Sequence, residues 1–415
     1  MRRLFLTSAA ILMTASGAAA QDMFLDDATV IDENGITTTA DIQLSGGVIA
    51  AMGSSLTATD GSETMTGMWV TPGLVSSYST LGIVDIGAER STNDTQSATD
   101  RASISIKASD SFNPREAHIA NARRRGVMYV AVTPSPTGDT IFAGTGLVAS
   151  LSGTEDSVLD DRAFIHLALG EAGSRRAGNT RGAAIAQLEA ALGDARRSFL
   201  TQDEGDVLRR QDAQAFRDAV AGRIPLLIAA SRASDLRRII GLTQDYPSLD
   251  IIIVGAEEAH LLADDIAAAG IRLIVDPHEN LPDTFDTLNS SLDNVLALDT
   301  AGVDFAISGL SSFRVVKAGG LSQHAGNAVG QGLSREAAFR AITGTPARWF
   351  DIDLGDIRAD SPASLVIWDG DPMEVTSAPV AMFQDGQAMS LESRMTALRD
   401  RYNPTSQDNR PHKYR

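Results

Sequence analysis

The strongest constraint on the fold is a series of short apolar, β-branched segments that alternate with helical segments between about residues 69 and 350. Eight such segments have the length and composition of strands that are buried on both faces. This alternation predicts a (β/α)8 barrel, and a doubly wound sheet is the structural alternative. The predicted strands are Trp69–Val75, Val127–Thr133, Gly146–Leu151, Ala163–Leu169, Pro225–Ala230, Asp250–Val254, Ile271–Val275 and Asp304–Ser308. The predicted helices between them are Arg181–Leu200, Asp206–Ala221, Arg232–Thr243, Glu257–Ala269 and Leu292–Ala301.

Both ends of the chain are rich in strand and turn signals. Asn34-Gly35 and Gly46-Gly47 mark turns between short strands in the first part, and residues 363–368 and 380–383 are predicted strands near the other end. We therefore predict a small β-sandwich built from residues 21–68 and 351–390, a barrel over residues 69–350, and a tail over residues 391–415.

The first 20 residues have the pattern of a signal peptide. Arg2 and Arg3 precede the apolar run 4–13, and three alanines end at Ala20, before Gln21. Cleavage near Ala20-Gln21 would export the protein to the periplasm or the medium. The apolar run is too short for a transmembrane helix, so no membrane insertion is expected.

Composition excludes several classes of protein. The chain has no cysteine, so disulfides, thiolate metal sites and a cysteine nucleophile are excluded. Its formal net charge of −18 opposes binding to nucleic acid.

Three motifs resemble the amidohydrolase superfamily, in its imidazolonepropionase-like group of metal-dependent hydrolases. The segment 70–82 is similar to the opening Thr-Pro-Gly-Leu-Ile-Asp-x-His-x-His, and residues 325–348 resemble the last barrel helices. Residues 354–372 are similar to the closing run that ends in Trp-Asp-Gly-Asp-Pro. The resemblance covers nearly the whole chain after residue 21 and implies a barrel with a β-sandwich made by both chain ends.

The resemblance also implies zinc or another divalent metal at the carboxyl ends of the barrel strands, where metal-bound water attacks a carbon–nitrogen bond. This chain has no metal ligand at the matching positions, which are occupied by Tyr78, Thr80, Ala229, Gly255 and Leu310. Ser231 occupies the second histidine place of the fifth strand. Loss of such a ligand set removes on the order of 10 kcal/mol of metal binding, so no metal cofactor is expected.

The residues that remain give weaker candidates. Asp276, His278 and Glu279 follow the seventh strand and are the best candidates for a new catalytic site, with His260 as a further metal ligand. Solvated loop chemistry is the alternative. His118 is expected at the surface, His166 in the core, and His324 and His412 have no assigned role. Tyr78, Ser231 and Arg232 are expected to line a pocket, although Arg232 could instead pair with Asp235.

Three functions remain open at this point. The favoured hypothesis is a catalytically inactive homologue that acts as a partner subunit of an active amidohydrolase, or that binds a small molecule. The alternative is an active hydrolase of carbon–nitrogen bonds, peptide-like or not, with a non-standard site. A periplasmic binding protein is the third. A homodimer or a heteromer with an active relative is expected.

Overall fold

The computed structural model describes residues 22–98, 102–197, 207–310 and 318–402. The expected signal peptide and the end of the tail lie outside these ranges. Among the described residues, no helix combines the length and the hydropathy needed to cross a bilayer.

The two chain ends form one sheet. Its first five strands are β1 (Met23–Ile31), β2 (Thr37–Ser45), β3 (Val48–Gly53), β4 (Glu63–Thr66) and β5 (Trp69–Thr71). Four strands near the other end complete it: β14 (Ser361–Pro362), β15 (Leu365–Trp368), β16 (Pro379–Gln384) and β17 (Gln387–Ala388). The strand order is β14-β3-β2-β1-β5-β15-β16-β17, with β4 paired to the free part of β1. This arrangement confirms the predicted β-sandwich made jointly by both chain ends. Its interior is a separate apolar cluster that includes Leu25, Ile42 and Ile367.

The second sheet is an almost closed barrel of eight strands. They are β6 (Leu74–Ser79), β7 (Val127–Val132), β8 (Phe142–Ser150), β9 (Val158–Ala168), β10 (Leu226–Ala230), β11 (Ile251–Gly255), β12 (Arg272–Val275) and β13 (Phe305–Ile307). Neighbours in the chain are neighbours in the sheet from β6 to β13. The Ser308 hydroxyl donates a hydrogen bond of 3.3 Å to the Tyr78 carbonyl, which links the end of β13 to β6.

The helices complete the architecture. The α-helices of the described residues are Ala117–Arg123, Gly170–Arg176, Arg181–Arg196, Arg210–Val220, Ala233–Asp245, Ala263–Ala268, Asn294–Thr300, Leu321–Gly330, Arg335–Arg340, Gly344–Trp349 and Arg394–Tyr402. Short 3-10 helices occupy Arg90–Thr92, Ala108–Ser111, Ala259–Leu261 and Ala318–Gly320.

Two barrel strands differ from their prediction. The predicted first strand is divided at Pro72, so that β5 belongs to the sandwich and β6 to the barrel. The third strand, predicted as a parallel strand Gly146–Leu151, is longer and runs antiparallel to both β7 and β9. The connections on either side of β8 are shorter than the dozen residues that a parallel crossover needs, so the chain can only turn back on itself there.

The barrel core explains why the strand pattern was readable. Strands β10 to β12 are almost fully buried, with Leu227, Ile252 and Ile274 showing no exposed surface. Strands covered by helices on one face and by barrel interior on the other need continuous apolar sequence. The carboxyl ends of the parallel strands therefore meet at one end of the barrel, which we call the mouth.

Candidate functional site at the barrel mouth

The mouth contains a cavity of about 440 Å³. It lies at the ends of β6, β9 and β10. Side chains that line it include Tyr78, His166, Ala168, Arg175, Arg176 and Ala229. Of the three residues predicted to line a pocket, Tyr78 lies in the lining of this cavity. Ser231 and Arg232 are not among the lining residues, and Arg232 is exposed to solvent.

Tyr78 and His166 form the inner wall of the cavity. Their rings meet edge to face with centroids 5.7 Å apart. The Nδ1 atom of His166 lies 2.7 Å from the carbonyl oxygen of Pro134. Because a carbonyl can only accept, Nδ1 carries a proton, and in the neutral ring Nε2 is left as an acceptor. His166 is thus buried, as the sequence predicts, with a fixed tautomer.

Two arginines stand at the rim of the cavity. Arg176 donates from Nη1 to the carbonyl of Gly138 at 2.7 Å, and exposed Arg175 pairs with Glu171 at 2.7 Å. A guanidinium has five N–H donors, so both side chains keep donors for a ligand. The lining also contains the carboxyl group of Asp139, so the charged side chains there are two arginines and one aspartate.

Gly255, one of the positions that carry metal ligands in the resembled superfamily, leaves little room for a longer side chain. Gly255 ends β11 with φ +101°, and a Cβ atom there would lie 3.0 Å from Ser231 Oγ and 3.1 Å from Glu257 Oε2. A histidine at this position would therefore require the surroundings to move. Ala229 has no donor atom, and Thr80 is buried immediately after β6.

Glu257 is a partly buried carboxyl group beside Gly255. Its Oε2 atom has no hydrogen-bond partner among the described residues. Burial raises the pKa of Glu257; the hydroxyl of Ser231 opposes that shift, and the negative charges of Glu279 and Asp276 add to it. No sequence signal selects Glu257, because the segment that begins with it is predicted to be a helix.

A second polar group forms where β12 ends. Asp276 Oδ1 lies 3.3 Å from His278 Nδ1 and 3.2 Å from His324 Nδ1, and the two Nδ1 atoms are 2.8 Å apart. Asp276 Oδ2 accepts the backbone N–H of Leu310 at 3.0 Å. Leu310, at a position where the resembled superfamily has a ligand, supports the carboxylate of Asp276 through its backbone.

The charge state of Asp276 follows from these contacts. Burial favours the neutral acid and acts to raise its pKa, but the hydrogen bonds from His278 and His324 and the N–H of Leu310 outweigh it. The pKa of Asp276 is therefore well below its usual range. A stable anion between two imidazoles is the result.

The sequence identified only part of this cluster. Asp276 and His278 come together, Glu279 and His260 do not join them, and His324 does. His324 lies 46 positions after His278, so no spacing motif marks it. One signal was present: in the helix Leu321–Gly330, His324 falls on the face that also buries Leu321, Ala325 and Ala328.

The expectation that the chain could hold no metal needs correction. Among the described residues, Asp276, His278 and His324 form a group whose ligand atoms could bind one ion. The sequence offered Asp276, His278, Glu279 and His260 as ligands of a replacement site. The structure keeps Asp276 and His278 in the group and adds His324 from a later helix.

Arg232 and Asp235 do not form the pair that the sequence suggested. Asp235 accepts from Arg181 Nε at 3.2 Å, and Arg181 also contacts Asp286. Burial raises the pKa of Asp235, against the effect of Arg181, and the charge of Asp286 adds to the increase. Asp286 also accepts the backbone N–H of Glu171. Its contacts with Glu171 and Arg181 fix the loop after β12 to the helices Gly170–Arg176 and Arg181–Arg196.

Comparison with solved structures identifies the architecture. An amidohydrolase from Thermotoga maritima MSB8 superposes with a TM-score of 0.76 at 21% identity, covering 89% of this chain and 99% of that chain. The chain has the amidohydrolase fold. A molinate hydrolase matches less closely, with a TM-score of 0.49 at 14% identity over 90% of this chain and 95% of that one. No protein-family model and no curated protein sequence matches the chain.

Proposed function

We propose that this protein is a degenerate member of the amidohydrolase superfamily that binds a small carboxylic acid at the barrel mouth without hydrolysing it. The observation that carries the proposal is the cavity itself. It occupies the place where the resembled superfamily holds its metals, and its wall contains Tyr78 and Ala229 where that superfamily has histidines.

The lining determines the class of ligand. Arg175 and Arg176 offer guanidinium donors suited to a carboxylate, while Ala168 and Ala229 offer apolar surface. Tyr78 and His166 add aromatic rings to the lining. A cavity of about 440 Å³ falls in the range of small-molecule sites. N-acyl amino acids and dipeptides have this combination of groups.

The first experiment measures binding and turnover together. Thermal shift and calorimetry would be run with N-acyl amino acids and dipeptides, and with their uncharged carboxamide analogues. We expect an acid to raise the melting temperature and to be recovered intact, with the carboxamide at least tenfold weaker. A ligand at 100 times its Kd stabilises the folded state by about 2.7 kcal/mol.

Variants locate the binding site. Ala229→Trp fills the cavity and should abolish binding, and Arg176→Gln should weaken it about tenfold. Arg237→Gln is the matched control, since Arg237 is an exposed arginine on the helix Ala233–Asp245, away from the cavity lining. Consumption of the ligand, abolished by His278→Ala, would replace this proposal with the active-hydrolase alternative. Binding unaffected by Ala229→Trp would place the ligand elsewhere.

A partner-subunit role is the second candidate, and an exposed apolar surface favours it. In the loop after β12, Phe285 is 77% exposed, and Leu281 and Leu288 are 66% and 60% exposed. Apolar surface of this kind is often covered by another chain. Size-exclusion chromatography with light scattering, alone and with a metal-containing relative, would test it. Phe285→Ser should break the complex, while Val375→Ser, at a similarly exposed valine, should not.

The export of the protein stays part of the proposal. Residues 1–20 have a signal-peptide pattern. Mass spectrometry of the mature protein from a periplasmic fraction should give an N-terminus near Gln21. An intact Met1 in the cytoplasmic fraction alone would contradict export.

A further inference from the structure

Three ligand atoms converge at a point that the proposed function does not use. Asp276 follows β12 directly, His278 lies two residues further along the chain, and His324 lies in the helix that follows the eighth strand. The three atoms form a triangle with sides of 2.8, 3.2 and 3.3 Å. Ligands arranged tetrahedrally around an ion at about 2.1 Å are about 3.4 Å apart, so the triangle has nearly the size of one face of such a site.

The burial of Asp276 and His324 indicates a preformed binding site rather than a chance contact between surface side chains. The Asp276 side chain has no exposed surface and that of His324 is 6% exposed, whereas that of His278 is 36% exposed. Solvent thus reaches the cluster from the side of His278. A buried carboxylate needs compensating positive charge, which a bound metal ion would supply.

Contacts around the cluster hold the ligands in position. The N–H of Leu310 fixes Asp276, and Gln331 Nε2 donates to the carbonyl of Pro277 at 3.1 Å, which fixes the loop that carries His278. The side-chain amide of Asn327 contacts His278 Nε2. Outer hydrogen bonds of this kind orient metal-binding histidines.

We propose that Asp276 Oδ1, His278 Nδ1 and His324 Nδ1 bind one divalent transition-metal ion, with Zn²⁺ as the probe. Two imidazole nitrogens and one carboxylate oxygen are ligands that Zn²⁺ accepts readily. The site joins the end of the seventh strand to the helix Leu321–Gly330. It shares no side-chain ligand with the positions of Tyr78, Thr80, Ala229, Gly255 and Leu310.

Asn327 sets the protonation of His278 in this site. With its amide nitrogen facing Nε2, the imidazole proton lies on Nδ1, and the cluster is held by hydrogen bonds alone. A half-turn of the amide brings its oxygen to Nε2, places the proton there, and makes Nδ1 a metal ligand. An aspartate at position 327 would favour the second state, and a leucine would favour neither.

The test uses the full-length protein after treatment with a chelator. Zn²⁺ would be titrated by calorimetry, and Co²⁺ by its visible absorption, which reports coordination geometry. We expect one ion per chain, a higher melting temperature, and an intense tetrahedral Co²⁺ spectrum. His324→Ala and Asp276→Asn should weaken binding by about 100-fold or more, and Asn327→Asp should tighten it about tenfold.

Controls separate this site from others. His260→Ala removes a histidine near the mouth that does not join the cluster, and should leave Zn²⁺ binding unchanged. Circular dichroism would verify that each variant is folded. Wild-type protein that binds no more Zn²⁺ than folded His324→Ala would overturn the proposal. Metal retained in full by both His324→Ala and Asp276→Asn would overturn it too, and would also contradict the loss of the barrel metal site.

Discussion

Trp368 should hold the sandwich against the barrel by packing closely on Gly126. Trp368 ends β15, is 1% exposed, and donates from Nε1 to Thr71 Oγ1 at 2.9 Å. Gly126 precedes β7 with φ +83°, and a Cβ atom there would lie 2.4 Å from the Trp368 ring. The tryptophan of the closing motif therefore has a packing role that only glycine at position 126 permits.

The magnitude of a Gly126→Ala substitution follows from two separable costs. An alanine in the left-handed region costs about 1–2 kcal/mol, and the overlap with the indole adds about 1–3 kcal/mol. Trp368→Leu shortens the side chain and removes the overlap but not the backbone strain. The two substitutions should therefore couple by about 1–3 kcal/mol, with the double variant more stable than the sum of the single effects predicts.

Urea denaturation followed by circular dichroism would measure this coupling. Gly302→Ala is the matched control, since Gly302 has φ +72° and open space where a Cβ atom would lie. It should show the strain cost alone. Equal destabilisation by Gly126→Ala and Gly302→Ala, or a coupling energy near zero, would refute the packing argument.

Three further predictions concern carboxyl groups that folding removes wholly or partly from solvent. Because the pKa of Asp276 is lowered on folding, its charge stabilises the protein above pH ~4 and this contribution falls as the pH drops below that value. Asp276→Asn should therefore have a lower urea midpoint than wild type at pH 7, with a gap that narrows at pH 3. The pKa of Glu257 is raised on folding, so Glu257→Gln should melt at a higher temperature than wild type at pH 8 but not at pH 4. Asp212 accepts the backbone N–H groups of Ser103 and Ser105 at 3.2 and 2.8 Å, and Asp212→Ala should cost about 2–4 kcal/mol and open residues 102–107 to limited proteolysis; cleavage at the wild-type rate would contradict this.

Much of the fold could be predicted because the burial of a strand restricts which residues it can contain. Strands such as β10 and β11, covered on both faces, need unbroken apolar sequence, and their positions were predicted to within one residue. The antiparallel direction of β8 was not predicted, because a buried apolar strand has the same kind of sequence whether it runs parallel or antiparallel to its neighbours. The predicted strand also began four residues too late, at Gly146 instead of Phe142, and this hid how short the connection before it is.

The candidate site was predictable only where it follows strand ends. Tyr78, Ala229 and Gly255 could be placed at the mouth because strand ends gather there. His324 could not, since it lies on a helix face 46 positions after His278. Glu257 lies just beyond the end of β11 but was assigned to a helix, so it was not selected. A buried polar residue on an apolar helix face is the kind of signal that would have selected His324.

Because β8 runs antiparallel to its neighbours, one turn in the barrel wall can change in length more easily than the other connections. In an all-parallel arrangement, lengthening one strand shifts a helix packed outside it. Here β7, β8 and β9 form a continuous meander, and the turn that holds Pro134 and Pro136 sits at the cavity. Residues can be added to or removed from that turn without displacing any crossover, so the entrance can be reshaped for another ligand while the remaining strands keep their register.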